Sequence, residues 1–152
     1  MPEFEIRSVP SQHIAAIKLR ASMDAIGESM SRAFPKVFDA ISKAGVAPAG
    51  PPLARYFSFG GPTIDFECAV PVATPFTGQG DVQPGQIGGD EAAHATHVGP
   101  YDTIGQTWGA LMAWLEAQGH KPAGPGWESY VTDPSEELDP TKWVTEVYSP
   151  VA

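Results

Sequence analysis

Two neighbouring stretches decide the fold: Gly99–Asp133, GPYDTIGQTWGALMAWLEAQGHKPAGPGWESYVTD, and, past an acidic loop, Lys142–Pro150, KWVTEVYSP. In the first, Ile104, Trp108, Leu111, Met112 and Leu115 recur at helical spacing, so a helix is expected from about Asp102 to Gln118 with one stripe buried. Gly119 stops it, as a glycine beyond a helix C-cap does. The runs Trp127–Thr132 and Trp143–Tyr148 are aromatic and β-branched and are bounded by Pro, Gly and Asp, which marks them as strands. With a short strand over Ala92–Val98 leading in, the unit reads β-α-β-β.

The same unit occurs earlier. AGVAPAGPPLARY, ending at Tyr56, lies over QGHKPAGPGWESY, ending at Tyr130, with Pro48-Ala49-Gly50 on Pro122-Ala123-Gly124. Glu67 with Pro71-Val72 lies over Glu146 with Pro150-Val151, and Ile26-Gly27 over Ile104-Gly105. The matches need two small length changes, one near the helix and one in the last loop, where insertions cost least. Three matches in one order identify two copies of a half-domain, repeat one at about 1–72 and repeat two at 91–152. The fold class expected is α+β with pseudo-twofold symmetry, and a groove between the repeats is the expected binding place.

A chain of 152 residues with 42% hydrophobic content suits one domain over 1–152. Its formal charge of -9 repels a phosphate backbone, which argues against nucleic acid as a direct partner. The single cysteine, Cys68, excludes an internal disulfide framework and a multi-cysteine metal site. With no charged-then-apolar leader and no 18-residue apolar run, no membrane association and a cytoplasmic location are expected.

From the N-terminus, Phe4–Val9 and His13–Leu19 read as two strands turned at Pro10-Ser11, hence a hairpin. Met23, Ile26, Met30, Phe34, Val37, Phe38 and Ile41 mark one face of a helix from about Asp24 to Ala44. Pro35 is expected to kink or split that helix, and Gly45 to end it. Strands Leu53–Phe59 and Ile64–Val70 follow, joined at Gly60-Gly61-Pro62. Residues 73–90, rich in Gly, Pro, Thr and Gln, carry no period and read as a crossover loop, mobile or a lid.

An ordered set of motifs then becomes specific: His97, Gly99, Pro100 and Tyr101 as H-x-GPY; Trp108 and Trp114 on the helix; Glu128, Tyr130, Asp133 and Pro134 as ESY then DP; and Trp143, Thr145, Glu146, Tyr148 and Pro150 as W-x-TE-x-Y-x-P. Together these resemble the GyrI-like small-molecule-binding domain, a family that includes effector-binding domains of AraC-type and MerR-type multidrug-responsive regulators. The resemblance covers nearly the whole chain. It implies two β-α-β-β repeats in a curved antiparallel sheet with two helices on one side, and a ligand groove between the repeats. It also implies an acidic side chain in an aromatic-walled cavity for hydrophobic, often cationic compounds. By position Glu146 is carried into that role, with Tyr148, Tyr130 and Trp108 as walls. Some members resemble hydrolases that open cyclopropane rings in genotoxic compounds, and others modulators of DNA gyrase. No helix-turn-helix is attached, so the expectation is a freestanding sensor or sequestering module, and the alternative a hydrolase using Glu146 or Glu128 as general acid or water-orienting base. A protein partner meeting the acidic surface is the third class.

Weighed singly, Glu146 shares its strand face with Val144 and Tyr148, while Trp143, Thr145 and Val147 take the other. A Glu among apolar neighbours either is paired or faces a cavity. Its repeat mate Glu67 lies beside Asp65 and suggests a solvated surface. Glu128 shares a face with Tyr130 and either enters the groove or makes a surface bond. Trp127 and Trp143 begin their strands and are candidates to roof the groove. Tyr101 follows Gly99-Pro100, with its hydroxyl toward the groove or with Asp102 merely capping the turn. His94 and His97, three apart, point to opposite faces and share no metal; no cofactor is implied. Cys68 reads as core. The acidic run Asp133, Glu136, Glu137 and Asp139 reads as a solvated loop. No nucleophile motif, phosphate loop or zinc spacing is present, and Gly85–Gly89 lacks the flanks of a dinucleotide fingerprint.

Overall fold

The computed structural model describes residues 4–58 and 61–151. In chain order its elements are β1 (Phe4–Ser8), β2 (Gln12–Ala21), α1 (Ile26–Lys43), β3 (Leu53–Tyr56), β4 (Ile64–Val72), β5 (Gln83–Ile87), β6 (Glu91–Val98), α2 (Ile104–Ala117), β7 (Gly126–Tyr130) and β8 (Val144–Pro150). The fold is α+β. The chain forms two compact units: Pro10–Gly89, and the segment ending at Val9 together with the segment beginning at Asp90. Phe59, at the end of the expected third strand, and Gly60, in the turn after it, lie outside the described residues.

The later unit has strand order β1-β6-β8-β7, all antiparallel. Side chains alternate across β8: Thr145, Val147 and Ser149 are buried, while Val144, Glu146 and Tyr148 are half-buried on the other face. Val147 joins Ala93, Ala95, Leu111 and Leu115 in a core against which Phe4, Ile104, Trp108, Met112 and Trp114 pack. Leu111 and Leu115, four apart, are fully buried where α2 meets the sheet, as its periodicity demands.

The earlier unit has order β3-β4-β2-β5, with α1 burying Ala33, Val37, Ala40 and Ile41. Its agreement with the later unit extends to individual hydrogen bonds. At the end of α1, Gly45 with φ of 69° donates its N–H to Ser42 O and Val46 to Ile41 O. At the end of α2, Gly119 with φ of 78° donates to Glu116 O and His120 to Leu115 O. Both are the same double-bonded left-handed cap, which glycine enters without steric cost. Likewise Ala49 N–H bonds Pro71 O and Ala123 N–H bonds Pro150 O, each at 2.8 Å, so the repeated Pro-Ala-Gly clips the same edge in each unit.

Several expectations are corrected. β1 and β2 do not form a hairpin: β1 pairs with β6, Phe4 opposite Ala95, and β2 pairs with β4 and β5. Phe4 is the reason, for in that position its ring lies 5.7 Å from Trp114 on α2. The crossover is not all loop, since β5 adds to β2. Its sequence QPGQI reads as a turn, yet an edge strand tolerates Pro84, and Gly85 lets the backbone lie against Ile14, whose Cγ1 would be 3.2 Å from an added Cβ. Each unit thus borrows the strand that precedes the other's β-α-β-β run. α1 runs unbroken through Pro35, which is exposed. Met23 and Phe38 are exposed rather than core. No side chain caps either helix start, so Asp102 does not take that role. Instead His97 reaches Thr107 Oγ1 at 2.6 Å and the Pro100 carbonyl at 3.0 Å, pinning the start of α2 to β6. Glu67 is not solvated but 2% exposed, with Arg55 Nη2 2.6 Å away.

Candidate functional site

The residues singled out from the sequence fall on opposite faces of the later unit's sheet. Register decides this: Glu128 on β7 stands opposite Val147, a core residue, whereas Glu146 on β8 stands opposite Ser129. Glu128 and Tyr130 therefore face α2, and Glu146, Tyr148 and Trp127 face away from it. Of the four residues expected to wall one cavity, Glu146 and Tyr148 thus share one face and Tyr130 and Trp108 the other.

On the α2 face, Glu128 is 5% exposed. Its Oε1 accepts from Trp108 Nε1–H at 2.7 Å and its Oε2 from the Tyr130 hydroxyl at 2.6 Å. Tyr101, in the turn before α2, stands edge-on to Tyr130 with ring centroids 5.4 Å apart, and lies 4.8 Å from Trp143. Trp108, Tyr130, Tyr101 and Trp143 are half-buried, so aromatic rims at the surface surround a carboxylate beneath them. Burial first, then the negative charges of Asp133 and Glu128, push the Tyr101 phenol above its ordinary pKa.

Gly126 makes room for this arrangement. A Cβ there would sit 2.6 Å from Trp108 Cη2 and 2.9 Å from the Tyr148 carbonyl oxygen. The Gly126→Ala variant is therefore expected to push the indole off Glu128 and to lose about 1–3 kcal/mol of stability, the usual penalty for overpacking. Urea unfolding and tryptophan emission check this; an unchanged midpoint and spectrum would mean that the indole is not wedged there.

On the opposite face, Glu146 is engaged by His94 Nε2 and by the Thr96 hydroxyl at 3.0 Å. Glu5 on β1 lies 3.4 Å from His94 Nδ1 and accepts from Arg7. Tyr148 stacks on Trp127 with centroids 4.9 Å apart and an interplanar angle of 16°. Burial and then the Glu146 charge raise the Tyr148 phenol, outweighing Arg7. The borrowed strand β1 is thus sewn to β6 and β8 by charged side chains as well as by its backbone. Thr96, Glu5 and Arg7 carry no signal in the sequence, and His94 stands out there only as a histidine that shares no metal with His97. The β6–β8 register brings His94 and Thr96 to Glu146 and the β1–β6 register adds Glu5 and Arg7, and no local pattern announces either pairing.

The earlier unit offers no counterpart to Glu128: in the repeat alignment Ala54 takes its place and Tyr56 that of Tyr130. Among the described residues, no helix is long and apolar enough to cross a membrane.

The family model of the GyrI-like small-molecule-binding domain matches residues 2–152. No curated protein sequence matches the chain. Among solved structures, the EcmrR C-terminal domain superposes with a TM-score of 0.89 at 19% identity, covering 100% of this chain and 98% of that one. EcmrR in a complex with DNA superposes at 0.88 and 20% identity, over 99% of this chain; this chain spans only 57% of that one's length. A hydrolase from Listeria innocua superposes at 0.71 and 17% identity, over 99% and 92% of the two chains. SAV2435, solved bound to tetraphenylphosphonium, does so at 0.70 and 13% identity, over 99% and 94%. At these identities the likeness is one of fold.

Proposed function

The chain belongs to the GyrI-like small-molecule-binding family, and on that premise we propose that it captures planar, hydrophobic organic cations against Glu128, as a sensing or sequestering module. One observation carries the reading: a nearly buried carboxylate is braced by an indole N–H and a phenol O–H, and half-exposed aromatic rings surround it. Each carboxylate oxygen has a second lone pair, so bracing does not exhaust its capacity to accept. A delocalised cation gives up little hydration on entering, and each aromatic face adds about 0.5–2 kcal/mol of cation–π attraction. Flat walls make few directional demands, so such a site accepts many planar ligands. Glu146, engaged by His94 and Thr96, acts in this reading as a brace for β1.

The neighbour solved with tetraphenylphosphonium supports the cation class. The charge argument against nucleic acid concerns this domain's own surface. The DNA complex belongs to EcmrR as a longer chain.

A thermal-shift panel tests the reading. A planar cation at about 100 times its Kd should stabilise the protein by about 2.7 kcal/mol, a rise of several degrees in Tm, while neutral molecules of similar shape give less. A panel in which charge makes no difference would contradict it.

The Glu128–Tyr130 pair favours one second reading, opening of a strained ring by water. There Glu128 takes a water proton as the water oxygen bonds to a ring carbon and the strained C–C bond breaks, its electron pair moving into the substrate's conjugated carbonyl, whose oxygen the Tyr130 hydroxyl hydrogen-bonds. Multiple turnovers of a cyclopropane-bearing alkylator would establish it in place of simple capture.

A further inference from the structure

Thr145 lies in the middle of the later unit's sheet, opposite His97 on β6 and opposite Tyr130 on β7. All three are on the face toward α2. His97 is bonded to Thr107 and Tyr130 to Glu128, yet Thr145 Oγ1, with its residue 0% exposed, is the one buried side-chain polar atom without a hydrogen-bond partner among the described residues. A buried hydroxyl left unsatisfied is costly, and at a native site it calls for an explanation. A valine would fill the same space on the same strand without that cost, so packing does not supply the explanation.

Its position does. Glu128 stands opposite Val147 and Tyr130 opposite Thr145, so Glu128 and Thr145 are diagonal neighbours on one face of an antiparallel pair. Such positions lie about 7–8 Å apart at the backbone, but the Glu128 carboxylate leans toward Tyr130, the residue opposite Thr145, which brings it nearer the threonine than that; one nitrogen donating two hydrogen bonds of about 2.9 Å reaches across up to about 5.8 Å. We infer that Thr145 is a second polar point of the Glu128 site, and that the site takes protonated organic amines, which carry N–H donors, in preference to organic cations that carry none. The ammonium donates one N–H to the carboxylate and another to the threonine oxygen. A fully alkylated cation satisfies only the charge. This rests on the reading of Glu128 as the ligand's charge partner and adds a chemical preference to it.

Two flat dyes of similar size separate the classes: proflavine, whose ring nitrogen and amino groups carry N–H, and N-methylacridinium, which has none. Thr145→Val keeps the shape and removes the hydroxyl. Without dye its Tm should rise by about 2–4 °C, because an unsatisfied group is gone. Its affinity for proflavine should fall roughly tenfold, the weight of one hydrogen bond to a charged group, with N-methylacridinium unchanged within about twofold. Thr145→Ser, which keeps the hydroxyl, should bind proflavine like the wild type. A fall in Tm for Thr145→Val, or equal effects on the two dyes, overturns the inference. If both dyes bind and depend on Glu128 but ignore the valine change, only the role of Thr145 is lost. If neither binds the wild-type protein, the Glu128 reading fails and takes this one with it.

Discussion

Glu128→Gln should weaken the binding of a planar cation by about 2–4 kcal/mol, the range for removing one partner of a desolvated charge pair, or about 30-fold to 1000-fold in Kd. The substitution suits the site. Glutamine's oxygen still accepts from Trp108 Nε1–H, which only donates, and its amide then donates to the Tyr130 oxygen, so both contacts of the native carboxylate are kept in changed roles. A loss of affinity then reports charge rather than collapse, and neutral molecules of the same shape should bind within a few-fold of wild type. Glu146→Gln provides the contrast. Glu146 lies on the other face of the sheet, so its removal should change cation affinity by no more than about twofold. Isothermal titration of the two variants side by side reads both outcomes. A large loss at residue 146 and none at residue 128 would reverse the assignment.

The largest effect on stability is expected at Arg55. Its guanidinium meets the Glu67 carboxylate through Nε at 2.7 Å and Nη2 at 2.6 Å, while Nη1 donates to the Gln86 carbonyl at 3.2 Å. The arginine therefore ties β3 to β4 and to the borrowed strand β5. Arg55→Met should cost about 3–5 kcal/mol, because it strands a buried carboxylate. For a chain of this length that lowers Tm by about 10 °C or more. Arg55→Met combined with Glu67→Met should recover most of the loss, since an apolar pair of similar volume needs no solvation. Urea unfolding of the single and double variants decides it. A double variant no more stable than the single one would show that the loss came from something other than the stranded charge.

The duplicated caps show what the sequence makes legible. Gly45 and Gly119 were readable as helix stops because few other residues enter the left-handed region. The repeated Pro-Ala-Gly and Pro-Val pairs are legible as one unit copied twice, and the structure adds that each copy forms the same clip. Leu111 and Leu115 were likewise placed by the helical period alone. The partner of β1 was not, because alternation along Phe4–Ser8 suits any sheet edge and only the contact of Phe4 with Trp114 distinguishes one from another. β5 escaped because its Pro and Gly are turn residues everywhere except at an edge.

The division of the candidate residues between two faces has a similar cause. Alternation sorts the side chains of one strand, so Glu146 was correctly grouped with Val144 and Tyr148, and Glu128 with Tyr130. Which group of β8 shares a face with which group of β7 depends on register, and a slip of one residue exchanges the faces. Neither set on β8 is plainly apolar: Thr145, Val147 and Ser149 turn inward, and Val144, Glu146 and Tyr148 outward. Glu67 departs from the solvated position that its sequence neighbours suggest for a related reason. Asp65 shares its face, but Arg55, twelve residues away, supplies the charge that allows burial.

A crystal structure of the protein grown with proflavine tests the central claim most directly. The dye's nitrogen should lie within hydrogen-bonding distance of the Glu128 carboxylate, its rings against Trp108 and Tyr101. Dye stacked instead on Tyr148 beside Glu146, with nothing at Glu128, would contradict it.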